Sequence, residues 1–400
     1  MATYFSMTLN CLVLKSRRYL LYNSCNGILH IVKVRMSSNA AASMSAWQIN
    51  RYGGIEELTL STTTRAATIK NPNELLVRVH ASSINPIDIR MMGGYGKALI
   101  NVLRQQKGVT QSGTEFPLIL GRDFSGTVVE TGRNVTKFKV GDEVWGAIGA
   151  ERPGTHAKYT VVSQSEISKK PLNISHIEAA SMPYVAATSW AALCTVGELT
   201  ERKAVGKRVL IFGGSGGIGT FSIQLLSSWG MDVTATCSTD AIDLVRSLGA
   251  NSVVDYKVKP IWNELKHQKR FDYILDTLGG EYTTNGVKLL SPWQNSKLIT
   301  LVTPLLKNSD TLGLIPGMLK SAVTAGIDSI KGLKSGGSVR WAFFLPNGAA
   351  MEKVKQMVEA EQIKPVVQET IPFSKVPDGF RTVSNGHLRG KIVIDNLKDS

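Results

Sequence analysis

The residues with the clearest chemical potential are Gly213-Gly214-Ser215-Gly216-Gly217-Ile218-Gly219. Gly214, Gly216 and Gly219 have the spacing G-x-G-x-x-G, which is weak by itself in a chain with 37 glycines. Context gives it meaning. An apolar run, Lys207 to Phe212, precedes it. A helical pattern with Ile218, Phe221, Leu225, Leu226 and Trp229 follows and stops at Gly230. A strand, a glycine turn and a helix N-terminus bind a pyrophosphate through unpaired N–H groups and the positive end of the helix dipole. The first glycine permits the tight turn, the second lets phosphate approach the backbone, and the third lets helix and strand pack closely. Thr220 follows Gly219, so the Gly-Lys-[Ser/Thr] of a nucleoside-triphosphate loop is missing. None of the ten tyrosines has a lysine four positions on, which removes the Tyr-x-x-x-Lys pair of a short-chain dehydrogenase. The expectation is a nicotinamide dinucleotide site.

The next strand, Asp232 to Cys237, ends in Ser238-Thr239, where NAD sites usually place a carboxylate for the ribose 2′-hydroxyl. Hydroxyls there, with Tyr256 at the end of the following strand, favour NADPH. Asp240 keeps NADH open. Ser238 and Thr239 also suit a helix N-cap, and the two roles are compatible.

Metal and disulfide chemistry find little support. The six histidines, at 30, 80, 156, 176, 267 and 387, form no i, i+4 pair. The four cysteines, at 11, 25, 194 and 237, form no C-x-x-C pair. No metal site and no disulfide framework are expected. The net charge of +15 raises nucleic acid as a partner, but six of those charges lie in the acid-free residues 1–55 and the rest form no block. With no recognised nucleic-acid module, that partner is not expected. Residues 1–45, basic and serine-bearing, have the composition of a mitochondrial transit peptide, which implies a matrix protein. No run of about 18 unbroken apolar residues marks a transmembrane segment.

Three zones must position the turn. Residues 46–172 carry short alternating runs between turn residues, the pattern of an antiparallel β domain. Residues 173–344 alternate strand-like and helical patterns, which implies βαβ units and a parallel sheet covered on both faces. Residues 345–400 are mixed and end in the strand-like Gly390-Lys391-Ile392-Val393-Ile394.

Several motifs in order resemble the medium-chain dehydrogenase/reductase superfamily in its quinone-reductase branch. They are Ser83-Ile84-Asn85-Pro86-Ile87-Asp88, Leu120-Gly121-Arg122-Asp123-Phe124-Ser125-Gly126, Val140-Gly141-Asp142-Glu143-Val144, Gly154-Thr155-His156-Ala157-Lys158-Tyr159, Met182-Pro183-Tyr184-Val185-Ala186-Ala187-Thr188-Ser189-Trp190, the glycine turn, and Gly390-Lys391-Ile392-Val393. The resemblance runs from about residue 46 to the C-terminus. It implies an α/β fold in two domains. A GroES-like domain would comprise residues 46–172 and 345–400, and a Rossmann doubly wound parallel sheet residues 173–344, with the active site between them.

The resemblance also implies roles. Ser215, Gly216, Gly217 and Ile218 would touch the pyrophosphate. Ser238 and Tyr256 would bind the adenosine phosphate. Leu301, Thr303, Phe343 and Phe344 would flank the nicotinamide, and His387, Arg389, Gly390 and Lys391 would close the far end of the cofactor. The chain departs from many relatives at Ala241, where they carry a lysine near the 2′-phosphate; Arg246, Lys257 or Arg389 are the available substitutes. The superfamily's zinc-binding Gly-His-Glu reads Gly121-Arg122-Asp123 here, and the matching cysteine position falls in Ala81-Ser82-Ser83. Arg122 and Asp123 are expected to form a structural ion pair.

The implied reaction is zinc-independent transfer of reducing equivalents from NADPH to a quinone, with a link to ubiquinone metabolism as the expected setting and an α,β-unsaturated carbonyl as the alternative acceptor. Asn85, Tyr95, Tyr184 and Thr188 are the candidates beside the reacting atoms. A different class of function, a non-catalytic NADPH-binding protein with a reticulon-family partner, stays open, as does a homodimer. Residues 91–116 and 304–338 read as insertions. Leu312 to Leu333, with apolar residues at helical spacing plus Lys320 and Lys331, suits a helix packed on the cleft or against a second copy. A lid or a membrane-facing surface is the other reading.

Overall fold

The structure is a computed structural model and describes residues 20–23, 29–32, 43–108, 114–258 and 260–399. Residues 1–42 and 43–400 form two separate units. In the first, Leu20–Asn23 and Leu29–Val32 pair antiparallel. The rest of the expected transit peptide up to residue 42, with Cys11 and Cys25, lies outside the described residues.

Within the second unit, the strands Arg208–Phe212, Asp232–Cys237, Ser252–Asp255, Tyr273–Asp276, Lys297–Thr300 and Ser338–Trp341 form a six-stranded, wholly parallel sheet. Numbered along the chain, their spatial order is 3-2-1-4-5-6. This doubly wound order reverses direction beside the first strand and opens a crevice there. Val209, Leu210, Ile211 and Phe212 are all fully buried because helices cover both faces. Val209 and Ile211 join a core with Phe221, Leu225, Leu226 and Trp229 of the helical pattern after the glycine turn. Leu210 and Phe212 pack on the opposite face with Ile274 and Leu298.

The other large sheet has seven strands and is mainly antiparallel. Its order is Ile167–Lys169, Glu143–Ala147, Asp123–Thr131, Glu74–Ile84, Lys391–Asp395 and Val367–Pro372, with Tyr159–Ser163 also paired to Glu74–Ile84. The chain therefore leaves this sheet, builds the parallel one, and returns. Lys391–Asp395 inserts beside Glu74–Ile84, antiparallel, with Ile392 opposite Ile84. That return carries residues 387–391 across the mouth of the glycine turn. A smaller sheet of Thr59–Arg65, Ser43–Ile49 and Leu118–Ile119 completes the unit.

Two stretches expected as insertions contain helices. Lys97–Gln106 lies in the first, whose residues 109–113 are outside the described residues. Leu305–Leu312 and Leu314–Lys334 form a helical hairpin in the second. Among the described residues no helix is long and apolar enough to cross a membrane.

Candidate active site

The glycine turn leaves the C-terminal end of Arg208–Phe212, at the point where the strand order reverses. Gly213 has φ +83°, a left-handed conformation that favours glycine. Its N–H donates to Thr236 Oγ1 at 3.1 Å, and the Gly214 N–H donates to the Thr236 carbonyl at 2.8 Å. A Cβ on Gly219 would stand 2.2 Å from the Gly213 carbonyl oxygen, so only glycine lets the helix approach the turn this closely. At Gly216 the nearest atom to such a Cβ is 3.8 Å away. Gly219 is thus bare to let protein in, whereas a Cβ on Gly216 would make only an ordinary van der Waals contact. The helix Gly217–Ser228 starts there with no side-chain cap and no acid in its first turn. Its N-terminus keeps its partial positive charge for an anion.

The returning chain seals one side. The Gly390 N–H donates to the Ser215 carbonyl at 3.0 Å, and Gly390 pairs with Gly216 as a parallel bridge. Arg389 holds Gln368 Oε1 through its N–H at 2.7 Å and the His387 carbonyl through its guanidinium at 3.0 Å. The same guanidinium forms an ion pair with Asp240. Asp240, the carboxylate that kept NADH open, is thereby neutralised.

Ser238 and Tyr256 lie on one edge, since the Tyr256 N–H donates to the Cys237 carbonyl at 3.2 Å. Ser238 is buried at an N-cap position, yet its hydroxyl caps no N–H. Lys257 Nζ stands 5.7 Å from the Tyr256 ring centre. Burial pushes the Cys237 thiol up to about 11, and the Arg389 and Arg246 charges oppose that rise. Lys257 and Arg389 thus bring two cations to the edge that carries Ser238 and Tyr256.

On the other side of the turn, Leu301 extends the strand Lys297–Thr300, its N–H donating to the Asp276 carbonyl at 2.9 Å. Thr303 is buried and Phe343 is exposed. Phe344 stacks on the Tyr184 ring at 4.3 Å between centres. Burial raises the Tyr184 phenol well above its ordinary value, as it does more weakly for Tyr95. Both therefore remain protonated donors at neutral pH. Thr188 is buried inside the helix Pro183–Trp190, and its hydroxyl donates to the Tyr184 carbonyl at 2.6 Å. Its proton is committed there.

Asn85 sits in a buried polar network. Its Nδ2 donates to Asp123 Oδ2 at 2.8 Å, and Lys391 Nζ donates to Asn85 Oδ1 at 2.5 Å and to Asp123 Oδ2 at 3.1 Å. The Ser83 hydroxyl and the Tyr184 N–H also donate to Asp123. The expected Arg122–Asp123 ion pair is absent. Asp123 opens the strand Asp123–Thr131 and turns to Lys391, while Arg122 lies just before it. Arg122 turns to Asp88, with Nε 3.7 Å from its carboxylate and Nη1 donating to the Gly149 carbonyl at 2.7 Å. Lys391 lies under the turn, its stem packed where a Cβ on Gly217 would meet it at 2.9 Å, and its ammonium reaches Asn85.

Asp88 and Asp123 are the residues that sequence reasoning passed over as site builders. A signal existed for Asp88. Asn85-Pro86-Ile87-Asp88 has proline at the first helical position and an acid three residues past the cap, and Asp88 Oδ2 accepts the Asn85 N–H at 2.8 Å. Asp123 had none, because its partners are up to 268 residues away.

A nicotinamide dinucleotide fits what is present: an uncapped helix N-terminus, room for close approach at Gly216 and cations at the adenosine edge. Zinc does not fit. The matching motif positions hold Arg122 and Asp123, which pair with Asp88 and Lys391, and among the described residues no three His, Cys, Asp or Glu side chains come together to hold an ion. A cavity of about 770 Å³ lies elsewhere. It is lined by residues such as Gln48, Arg104 and Arg152 and by Lys107 and Thr114, which flank residues 109–113 outside the described residues.

Residues 71–172 match the alcohol dehydrogenase GroES-like domain family, and residues 248–394 the family described as zinc-binding dehydrogenase. The chain is 46% identical over 387 residues, covering 97% of it and 99% of the relative, to the mitochondrial NAD(P)H oxidoreductase RTN4IP1 of Danio rerio. It is 34% identical to the mitochondrial reticulon-4-interacting protein 1 of Caenorhabditis elegans, covering 90% of this chain and 97% of that one. Among solved structures, the quinone oxidoreductase from Coxiella burnetii superposes with a TM-score of 0.71 at 25% identity, covering 88% of this chain and 99% of that chain. The parallel sheet with its glycine turn, the returning C-terminal strand and these relatives agree, and the chain belongs to the medium-chain dehydrogenase/reductase superfamily, in the family of the mitochondrial NAD(P)H oxidoreductases.

Proposed function

We propose that the protein is a zinc-independent, NADPH-preferring reductase that passes reducing equivalents to a quinone. The observation that carries the reading is the adenosine edge together with the bare turn. Gly216 has room for close approach at an uncapped helix N-terminus, Ser238 and Tyr256 share the neighbouring edge, and Arg389 occupies Asp240. A 2′-phosphate there meets hydroxyls and cations. The Coxiella burnetii quinone oxidoreductase supports the acceptor class.

Bound NADPH supplies a hydride from its dihydronicotinamide ring. The chain's own contribution is positioning. Ser215, Gly216, Gly217 and Ile218 hold the pyrophosphate. Leu301, Thr303 and Phe343 wall the ring, and Phe344 fixes the Tyr184 ring by stacking. Asn85, held by Lys391 and Asp123, keeps one amide hydrogen for a carbonyl or a ribose hydroxyl. Tyr184, and Tyr95 on the loop beside it, offer phenol hydrogens to the acceptor oxygen. Reduction of a quinone to its quinol takes one hydride and one proton, and the proton comes from solvent through these hydroxyls. The names of its relatives and the basic, acid-free leader support residence in mitochondria, in the matrix.

Purified protein mixed with NADPH and a panel of quinones and unsaturated ketones tests the reading through loss of NADPH absorbance. The expected result is turnover of quinones that a metal chelator leaves unchanged. Faster turnover of the unsaturated ketones would select the alternative acceptor. Tight NADPH binding with no turnover of any acceptor would overturn catalysis. It would favour the interaction role that the reticulon-4-interacting relative's name suggests. Arg389→Ala is expected to weaken NADPH by about tenfold, roughly 1.4 kcal/mol, and NADH much less. Calorimetry with both cofactors measures that difference.

A further inference from the structure

The helix Leu314–Lys334 is amphipathic the wrong way round for a helix packed only on its own chain. It buries Gly317, Ser321 and Gly332 and turns Asp328 inward to the Trp341 indole N–H at 3.3 Å. It exposes Ile315, Leu319, Val323, Ile327, Ile330 and Leu333, each between 48% and 71% accessible. At 100° per residue these six fall on one stripe, and Lys320, Lys331 and Lys334 lie along one margin of it. A helix of 21 residues holds that stripe over about 31 Å.

From this stripe we infer that the helix docks on an anionic lipid surface, lying in the plane of the membrane with its apolar residues sunk into the headgroup boundary. Charge complementarity selects this occupant. Lys320 and Lys334 can extend to lipid phosphates while their stems stay on the apolar stripe. Lys320 and Lys334 have no acidic partner among the described residues, and Asp328, the only acid of the helix, faces the protein and pairs only with Lys331 at 3.5 Å. An antiparallel two-fold contact with a second copy would instead set the two lysine rows side by side, with no acid on the stripe to separate them.

The surface is also tied to the candidate active site. The preceding helix Leu305–Leu312 carries Asp310, whose carboxylate accepts the N–H groups of Gly96 at 2.6 Å and Ala98 at 3.0 Å, immediately after Tyr95. Docking would hold the Tyr95 loop against the bilayer. Under the quinone reading proposed above, on which this step rests, the acceptor is a membrane-dissolved quinone rather than a soluble one.

Flotation of the full-length protein with vesicles is the test. Phosphatidylcholine vesicles are compared with vesicles that also contain phosphatidylglycerol. The wild type is expected to float with the mixed vesicles and not with phosphatidylcholine alone. The variant Ile315→Gln/Leu319→Gln/Val323→Gln/Ile327→Gln is expected to lose about tenfold or more of that binding, with its melting temperature unchanged because all four side chains face outward. Lys320→Glu/Lys334→Glu is expected to lose it likewise and provides the test should the first variant not fold. Binding that survives both variants would overturn the inference and assign the lipid contact to another surface, such as the basic leader. No flotation, with a dimer in sedimentation velocity that these variants convert to monomer, would overturn it in favour of a second copy. Turnover of a water-soluble quinone, measured in parallel, reports on the reductase reading separately.

Discussion

At the scale of single residues, two glycines of one turn do different work, and substitution separates them. Gly216→Val sets its Cβ at ordinary contact distance, 3.8 Å, from the Gly213 carbonyl, so the fold is expected to stand, with a nearly unchanged melting temperature. NADPH binding is expected to weaken by at least about tenfold, because the pyrophosphate loses its approach to the backbone. Gly219→Val sets its Cβ into the Gly213 carbonyl and is expected to lower the melting temperature as well. Thermal melts and NADPH titration of both variants check the contrast. The buried ion pair gives a second case. Lys391 and Asp123 are at most 5% accessible and lie 3.1 Å apart. Lys391→Met leaves Asp123 as a buried, uncompensated charge, and a loss of about 3–5 kcal/mol is expected by denaturant unfolding. Adding Asp123→Asn removes that charge and is expected to recover part of the loss. No recovery would mean that Lys391 acts through packing of its stem under Gly217.

At the scale of elements, the site is assembled by segments that cap one another across the chain. The helix Lys97–Gln106 starts after Gly96 with no cap of its own, and Asp310 supplies one from the hairpin Leu305–Lys334. Asp310→Ala is expected to cost about 1 kcal/mol of stability, as loss of a cap does. It is also expected to raise KM for the acceptor more than it lowers kcat, because the Tyr95 loop loses its anchor. Steady-state kinetics with a soluble quinone separates the two parameters. The elements were largely legible beforehand. The strand Asp232–Cys237 falls where its alternation placed it, and the helix Gly217–Ser228 ends one residue before the expected Trp229. The helix Leu314–Lys334 was legible as a helix, and its apolar spacing suited packing on the cleft or against a second copy. The structure instead buries its small residues. Periodicity reports that a stripe exists, and which stripe faces the protein depends on the partner surface.

At the scale of the whole molecule, one cluster links the β sheet to the segment that leaves it. His80 and His176 meet edge to face at 4.3 Å, and His176 bridges Ser125 Oγ at 2.8 Å and Glu143 at 3.2 Å. The Ser-His-Glu order resembles a nucleophile relay, but Ser125 is fully buried, with no room for a substrate. Burial and the adjacent His176 push His80 from its ordinary 6.5 down to about 4, and burial lowers His176 too. Both rings are neutral in the fold. As pH falls below about 6.5 the unfolded chain takes up protons that the fold refuses, so stability decreases toward about pH 4 and is regained above 6.5. The melting temperature is expected to fall between about pH 7 and about pH 5, and less so in His80→Gln. An equal fall in both would assign the acid sensitivity elsewhere.

The sequence by itself determined the glycine turn, the strand before it, the helix after it and the alternation that makes a parallel sheet. Each of these is a local matter of backbone sterics and of a repeat of two or 3.6 residues. Motifs in order added the superfamily. Only the tertiary structure decided which charges pair. Asp123 met Lys391 rather than Arg122, and Asp240 met Arg389 across 149 positions, because the returning C-terminal strand brings those cations to the turn. Ion pairs depend on which faces a fold apposes, and no local pattern encodes a partner that arrives hundreds of residues later.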